Sequence, residues 1–311
     1  MIKATLTNEI LKKISAIDEN RFSLSTIELP PAEKNKLRKI SRKKSSYASN
    51  KIEGNPLTEV QASEAIDRDP HKHFLKPEQE IRNYFLALEL LEEKRKCRER
   101  FSKKLILEVQ AIVEKGASKE KIGLRGAMPP GVLFAVYDSE TGIPEYIPPE
   151  YTDIPGLLDE LVEYVNTTDD HPLIIAAIVH YQLVTIHPFE DGNGRTARLM
   201  SGYILDYHGY GFHGIGSLEE YFAYEPDEYY QSLQMGLPAL YYSGRENPPH
   251  PEIWILYFLR MVELYSGKVC ELSKAAEKDN LAGSLSYIAS LIFSAPAATP
   301  RHGLPAEICP G

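Results

Sequence analysis

The sequence predicts an all-α helical bundle that carries one small β-hairpin. Apolar residues recur at the spacing of an amphipathic helix through most of the 311 residues. A hydrophobic content of 43% with 25% charged residues is typical of a soluble globular chain that buries a core of ordinary size. Only the segment 131–147 departs clearly from the helical spacing.

The strongest helical patterns occur in four amphipathic segments and one apolar run. The amphipathic segments are residues 80–91, 105–113, 154–165 and 254–264. The apolar run 172–186 begins at Pro172, a residue favoured at the first position of a helix, after the candidate caps Thr168, Asp169 and Asp170. The run is too short for a bilayer span, so it predicts a buried helix and not a membrane helix.

Residues 131–147 predict the β-hairpin. Apolar and aromatic residues from Gly131 to Tyr137 and from Ile143 to Ile147 flank the turn-rich centre 138–142. Two such segments joined by a short loop that contains glycine are typical of a hairpin.

Composition narrows the classes of function. The net charge of −9 argues against binding of nucleic acid by the chain as a whole. No apolar N-terminal stretch resembles a secretory signal, and no membrane association is expected. Cys97, Cys270 and Cys309 are odd in number and lack metal-ligand spacing, which favours a reducing, cytoplasmic setting.

The segment from His187 to Arg198 concentrates the chemistry. Gly192-Asn193-Gly194 permits a backbone whose N–H groups converge, and the helix that follows, from near Arg195, adds the positive end of its dipole. Such a corner is suited to phosphate.

Four side chains of this segment have complementary roles. Arg195 and Arg198 lie three residues apart on one helix face and can grip adjacent phosphates. Asp191 can hold Mg²⁺ together with phosphate oxygens. His187 is the candidate general base because its ordinary pKa lies near neutrality.

These residues resemble the signature of the Fic family, His-x-Phe-x-(Asp/Glu)-Gly-Asn-Gly-Arg-x-x-Arg, which is complete in residues 187–198. The resemblance implies a helical bundle with a β-hairpin flap and transfer of AMP from ATP to a protein hydroxyl. It implies that His187 activates the hydroxyl, Asp191 holds Mg²⁺ and Phe189 anchors the loop. It further implies that the nucleotide-binding residues are Gly192, Asn193, Gly194, Arg195, Thr196, Ala197 and Arg198.

Two further elements follow from the resemblance. The hairpin 131–147 corresponds to the flap, which in this family pairs with an extended segment of the target protein. Residues 227–233 resemble the helix that lines the nucleobase pocket, so Tyr229 or Tyr230 would contact adenine or ribose, although tyrosines at this spacing also occur in cores.

Ser49-Asn-Lys-Ile-Glu53-Gly54 resembles the family's inhibitory motif, (Ser/Thr)-x-x-x-Glu-(Gly/Asn). Ser49 and Glu53 share one helix face, and a carboxylate paired with Arg198 would occupy the arginine that the γ-phosphate needs. In some family members the equivalent glutamate also supports removal of AMP, so de-AMPylation is a second expectation.

The predicted organisation has three parts. Residues 1–110 form an N-terminal helical region with the inhibitory helix at about 45–54. Residues 111–267 form the catalytic core with the flap at 131–147, and residues 268–311 form a helical appendage with a loose tail. Homodimerisation is a further expectation from the resemblance.

Two alternatives stay open. A Fic-fold enzyme can transfer another group, such as UMP, phosphate or phosphocholine. A non-catalytic regulator is the other class, but the residues after Gly267 do not resemble a DNA-recognition helix.

Overall fold

The computed structural model describes residues 2, 4–118, 121–137 and 141–282, and these residues form eleven α-helices and one two-stranded sheet. The helices are α1 (Asn8–Ser25), α2 (Pro31–Ile52), α3 (Glu59–Asp67), α4 (Lys76–Lys96), α5 (Lys103–Val113), α6 (Ile154–Thr167), α7 (Pro172–Ile186), α8 (Asn193–Tyr207), α9 (Glu219–Tyr224), α10 (Pro226–Gln234) and α11 (Glu252–Ala282). The strands are β1 (Val136–Tyr137) and β2 (Pro144–Tyr146). The predicted all-α bundle with one hairpin is confirmed.

The antiparallel hairpin of α7 and α8 forms the centre of the bundle. Nearly every side chain of α7 is buried, as expected for a helix that is apolar on all sides. Helices α6 and α11 pack against α7, whereas α4 and α5 pack against α8. The loop between α7 and α8, which carries the phosphate-binding pattern, is therefore supported from several directions.

Helix α2 positions the predicted inhibitory residues. It packs against α4 and α9 and also contacts α8. Its C-terminal residue is Ile52, and Glu53 caps the helix, followed by Gly54 with a φ of 79°. A positive φ after the cap favours glycine, which explains why α2 stops here.

The hairpin is shorter than predicted. Val136 pairs with Tyr146 and Tyr137 with Pro144, with an irregular register. Pro144 has no N–H to donate, which limits pairing along β2. Ile147 instead forms a parallel bridge with Leu240. Residues 138–140 of the predicted turn lie outside the described residues.

Helix starts differ slightly from the predictions. The side chain of His171, and not Thr168, Asp169 or Asp170, accepts a hydrogen bond from the first turn of α7. Helix α8 begins at Asn193, two residues before the predicted start.

The three-part division stays a prediction. Helix α5 runs across its first boundary and α11 across its second. The predicted loose tail, with Cys309, lies outside the described residues. In the part of the chain that the structure describes, no helix combines the length and apolarity needed to cross a membrane.

Candidate active site

His187 lies where α7 ends, in a left-handed backbone conformation with a φ of 48°. Its Nδ1 lies 3.2 Å from the carbonyl oxygen of Val184. Because a carbonyl can only accept a hydrogen bond, Nδ1 carries the proton and Nε2 keeps its lone pair. Burial lowers the pKa of His187 to about 4 although the Val184 hydrogen bond opposes the shift, so the ring is neutral at neutral pH. Nε2 can therefore accept a proton.

The loop after His187 is held rigid by Phe189 and Asn193. Phe189 is 1% exposed, which confirms its predicted role as a buried anchor. Its backbone N–H donates to Asn193 Oδ1 at 3.0 Å, and Asn193 Nδ2 donates to the Phe189 carbonyl at 2.9 Å. The Asn193 side chain thus fastens the loop, and its backbone N–H lies in the first turn of α8. Contact of Asn193 with a phosphate stays a prediction.

The start of α8 forms the anion corner. Gly192 caps the helix with a φ of 79°, in the region that favours glycine. The first turn of a helix leaves N–H groups without partners inside the helix, and the helix dipole adds partial positive charge there. A Cβ on Gly194 would lie 2.3 Å from Glu53 Oε1, so the Glu53 carboxylate lies against this turn.

Asp191 and Arg195 form an ion-pair cluster with Glu114. Arg195 Nη2 lies 2.9 Å from Glu114 Oε1 and 3.1 Å from Asp191 Oδ1. Burial raises the pKa of Glu114 to about 7. Burial would also raise the pKa of Asp191, but Arg195 and the hydrogen bond from the Gly192 N–H outweigh it and lower that pKa. Asp191 Oδ2 lies 3.5 Å from Lys121 Nζ. Asp191 is thus charged at neutral pH.

Arg198 is held by the end of α2. Its Nε donates to Ser49 Oγ at 2.8 Å, and its Nη2 donates to the Ser49 carbonyl at 2.9 Å and to Glu53 Oε1 at 2.6 Å. Burial alone would lower the pKa of Arg198, but the Glu53 carboxylate raises it, so the guanidinium stays charged. The structure brings together Ser49, Glu53 and Arg198, as the sequence predicts.

Tyr229 is a core residue that supports Arg198. Arg198 Nη1 lies 3.4 Å from the Tyr229 hydroxyl, which lies 2.8 Å from His180 Nε2. The Tyr229 ring packs beside Phe222 and Trp254 and is 1% exposed. Tyr229 therefore packs in the core, whereas Tyr230 is 41% exposed. Contact of Tyr229 or Tyr230 with the nucleobase or ribose stays a prediction.

Two other predicted nucleotide-binding residues, Thr196 and Ala197, lie beyond the N–H groups that start α8, and their contact with a nucleotide stays a prediction. Ala197 is fully buried, and the N–H of Thr196 bonds to the Gly192 carbonyl at 2.9 Å. The physical reason is the early start of α8, which places both residues beyond the first unpaired N–H groups.

Arg125 and Glu114 are site residues that the sequence analysis missed. Arg125 Nε donates to the His187 carbonyl at 2.9 Å, and its Nη2 donates to the Pro149 carbonyl. Its guanidinium also lies 4.6 Å from the centre of the Phe134 ring, and Phe134 in turn flanks His187. Arg125 therefore links the signature loop to both sides of the hairpin.

We expect Arg125→Gln to lower the free energy of unfolding by about 3 kcal/mol, because it leaves two buried carbonyl groups with weaker partners. Urea denaturation measures this change. Arg100→Gln, at an exposed arginine, should have almost no effect. An equal loss in the two variants would contradict a linking role for Arg125.

Comparison with known proteins identifies similar chains. Residues 100–205 match the model of the Fic/DOC family. The protein adenylyltransferase Fic of Drosophila mojavensis is 28% identical over 211 residues, which cover 64% of this chain and 38% of that protein. The protein of the same name from Drosophila grimshawi is 27% identical over 211 residues, which cover 64% of this chain and 40% of that protein. The chain thus spans about two fifths of the length of these relatives.

Solved structures share the fold. A Fic family protein from Desulfovibrio desulfuricans G20 superposes with a TM-score of 0.69 at 23% identity, over 90% of this chain and 78% of that chain. A Fic domain containing signaling protein from Bacteroides thetaiotaomicron VPI-5482 superposes with a TM-score of 0.66 at 21% identity, over 87% and 97% of the two chains. At these identities the similarity shows the fold alone.

Proposed function

We propose that the chain, whose residues 100–205 match the model of the Fic/DOC family, is a protein adenylyltransferase, which transfers AMP from ATP to a hydroxyl side chain of a target protein or of itself. One observation carries the proposal: a neutral histidine with a free Nε2 adjoins a helix start that has two buried arginines within its first two turns. The activity in the names of the Drosophila relatives supports the same reaction.

The proposed reaction is a single displacement at the α-phosphorus of ATP. The target hydroxyl oxygen forms a bond to this phosphorus, and the bond from phosphorus to the bridging oxygen of the β-phosphate breaks. Diphosphate leaves with the electron pair, and the hydroxyl proton passes to Nε2 of His187. The N–H groups at the start of α8 and the guanidinium of Arg195 would offset charge on the phosphates.

Asp191 fits the role of a Mg²⁺ ligand. No group of three or more metal-ligating side chains occurs among the described residues, but Mg²⁺ bound to a nucleotide usually takes only one or two protein carboxylates. Asp191 is charged and partly exposed. Arg195 contacts Oδ1, and the contact of Oδ2 with Lys121 is longer, at 3.5 Å. Mg²⁺ would neutralise phosphate charge when bound.

We expect Asp191→Asn to weaken binding of magnesium-ATP by about tenfold, because the amide keeps the side chain's shape and loses its charge. Calorimetric titration measures the affinity, best in a Glu53→Gly background. Glu190→Ala, at the exposed neighbour, serves as the matched control and should bind as before. Equal affinity of Asp191→Asn and its parent would argue against Asp191 as the ligand.

Glu53 is the proposed brake. Its carboxylate occupies Arg198 and lies against Gly194, where the outer phosphates of ATP would bind. The pair therefore competes with productive binding of ATP.

Oε2 of Glu53 forms no hydrogen bond to another described residue, so it could orient a water for removal of AMP from a modified target. De-AMPylation is the second candidate function.

The hairpin is the proposed docking site for the target. Val132, Leu133 and Ile143 are exposed there, and the neighbouring Phe134 ring lies 6.0 Å from the His187 ring. An extended segment that pairs with the hairpin would bring its hydroxyl to His187. A second copy of the chain is a further proposed partner.

The deciding experiment compares donors that carry the label at different positions. In a Glu53→Gly protein, ATP labelled at the α-phosphate should label polypeptide, and ATP labelled at the γ-phosphate should not. UTP labelled at the α-phosphate tests transfer of UMP. Labelling from the γ-position would assign the chain to phosphate transfer instead.

A further inference from the structure

A cavity of about 440 Å³ lies between α2, α4 and α8. Its lining includes Arg198 but not His187, Asp191 or the first turn of α8, so it adjoins the candidate active site at Arg198 and lies outside the phosphate corner. Its volume falls in the range of small-molecule sites. Arg21 and Gly209 on its wall are exposed, which gives the cavity access to solvent.

The wall of the cavity carries an excess of positive charge. Five arginines and three acidic side chains line it. The arginines are Arg21, Arg38, Arg42, Arg95 and Arg198, and the acidic residues are Glu92, Asp206 and Glu219. Glu219 accepts hydrogen bonds from the hydroxyl groups of Ser45, Tyr84 and Ser217. Arg42, Arg95 and Arg198 each pair closely with a carboxylate. Among the described residues, Arg21 forms no ion pair, and Arg38, whose Nε donates to the His213 carbonyl, has only a long one, 3.9 Å from Glu92. This charge favours an anion.

The remaining wall is apolar. Leucine side chains from α4 and α8 line the cavity, with an aromatic residue from the segment that follows α8 and another from α11. They are Leu88, Leu91, Leu199, Leu205, Phe212 and Tyr265. An inorganic anion would leave this surface uncovered, so the lining suits an organic body that carries the charged group.

Gly202 supplies an independent observation. It lies inside α8 and lines the cavity, and a Cβ built there meets no atom within 4 Å. Glycine inside a helix costs about 1 kcal/mol relative to alanine. Nothing in the packing requires glycine at this position, and its effect is to keep the cavity open.

We propose that this cavity binds a small organic anion, an apolar body with one carboxylate or phosphate group, and that the ligand contacts α2 and α8 together. Ser41 and Ser45 of α2 and Leu199 and Gly202 of α8 all line the cavity. A ligand that touches both helices stabilises the packing that places Glu53 against Arg198. This regulatory consequence rests on the proposed function; the binding does not.

Calorimetric titration with octanoate and with 1-naphthyl phosphate tests the site, with octanol and 1-naphthol as uncharged counterparts. At least one of the two anions should bind with a stoichiometry of one per chain. Its affinity should be about tenfold higher than that of its neutral counterpart. The two anions distinguish a carboxylate ligand from a phosphate ligand. Failure of both anions to bind, or equal affinity for the neutral compounds, would overturn the proposal.

Matched glycine variants locate the binding. Gly202→Leu fills the cavity and improves helix propensity, so it should fold and bind the anion at least about tenfold more weakly. A Cβ built on Gly156, in α6, also meets no atom within 4 Å, and Gly156 lies outside the cavity, so Gly156→Leu should bind the anion as the parent does. Unchanged binding by Gly202→Leu would show that the anion binds elsewhere.

Hydrogen exchange tests the contact with both helices without any need for catalysis. The bound anion should slow exchange of the backbone amides in α2 and α8 of the wild-type chain, because both helices gain a shared contact. Slowing in neither helix would overturn the bridging arrangement. The experiment would succeed or fail regardless of whether the chain transfers AMP.

Discussion

Replacing His187 by alanine should lower AMP transfer by about 10²–10⁴-fold, the range that a general base contributes. The expected loss follows from the free Nε2, the only acceptor that the ring offers to a target hydroxyl. The measurement is the initial rate of polypeptide labelling from ATP labelled at the α-phosphate, in a Glu53→Gly background.

Two comparisons separate loss of the base from loss of the fold. His250→Ala, at an exposed histidine, should leave the rate unchanged. The affinity of His187→Ala for magnesium-ATP should stay within a few-fold of its parent, since the phosphates are held by α8. A rate for His187→Ala within about threefold of its parent would remove the base from the mechanism, because the general-base contribution is far larger.

Replacing Glu53 by glycine should raise self-labelling and ATP turnover by about tenfold or more. The carboxylate contributes a charge-assisted hydrogen bond to Arg198, and such bonds contribute about 1.5–3 kcal/mol. Glu53 is 34% exposed, so screening by water favours the lower end of that range. About 1.4 kcal/mol corresponds to a tenfold change in affinity for ATP. Titration with magnesium-ATP measures the affinity, and radiolabelled ATP measures self-labelling and turnover.

Two control variants test the inhibitory role of Glu53, one by removing only its charge and the other by removing a carboxylate elsewhere. Glu53→Gln keeps the side chain's length and removes its charge, so it should release most of the inhibition. Glu190→Ala removes an exposed carboxylate of the signature loop and should release none. Unchanged labelling in Glu53→Gly would rule out the brake. Equal activation by Glu190→Ala would instead indicate a general effect of charge.

Much of the fold and part of the site were predictable because their signals are local. Helical periodicity predicted the amphipathic and apolar helices, and the spacing of Ser49 and Glu53 placed both residues on one face of one helix. The order of residues 187–198 predicted a phosphate corner because a glycine-rich turn followed by a helix start forms such a corner from neighbouring residues alone.

Contacts between distant segments were not predictable from this sequence. Periodicity shows which face of a helix is buried but not which neighbour covers it. The pairing of Arg198 with Glu53 joins residues 145 positions apart and was expected only through a family resemblance. The link from Arg125 to His187 spans 62 positions and had no sequence signal.

The sequence alone therefore determined the helices, the signature loop and the residue types that can hold phosphate and accept a proton. Tertiary packing decided that Tyr229 belongs to the core, that Glu114 shares Arg195 with Asp191, and that a cavity opens beside Gly202. The physical reason is that burial, pKa shifts and empty volume arise between helices, from side chains that meet only when the whole bundle has formed.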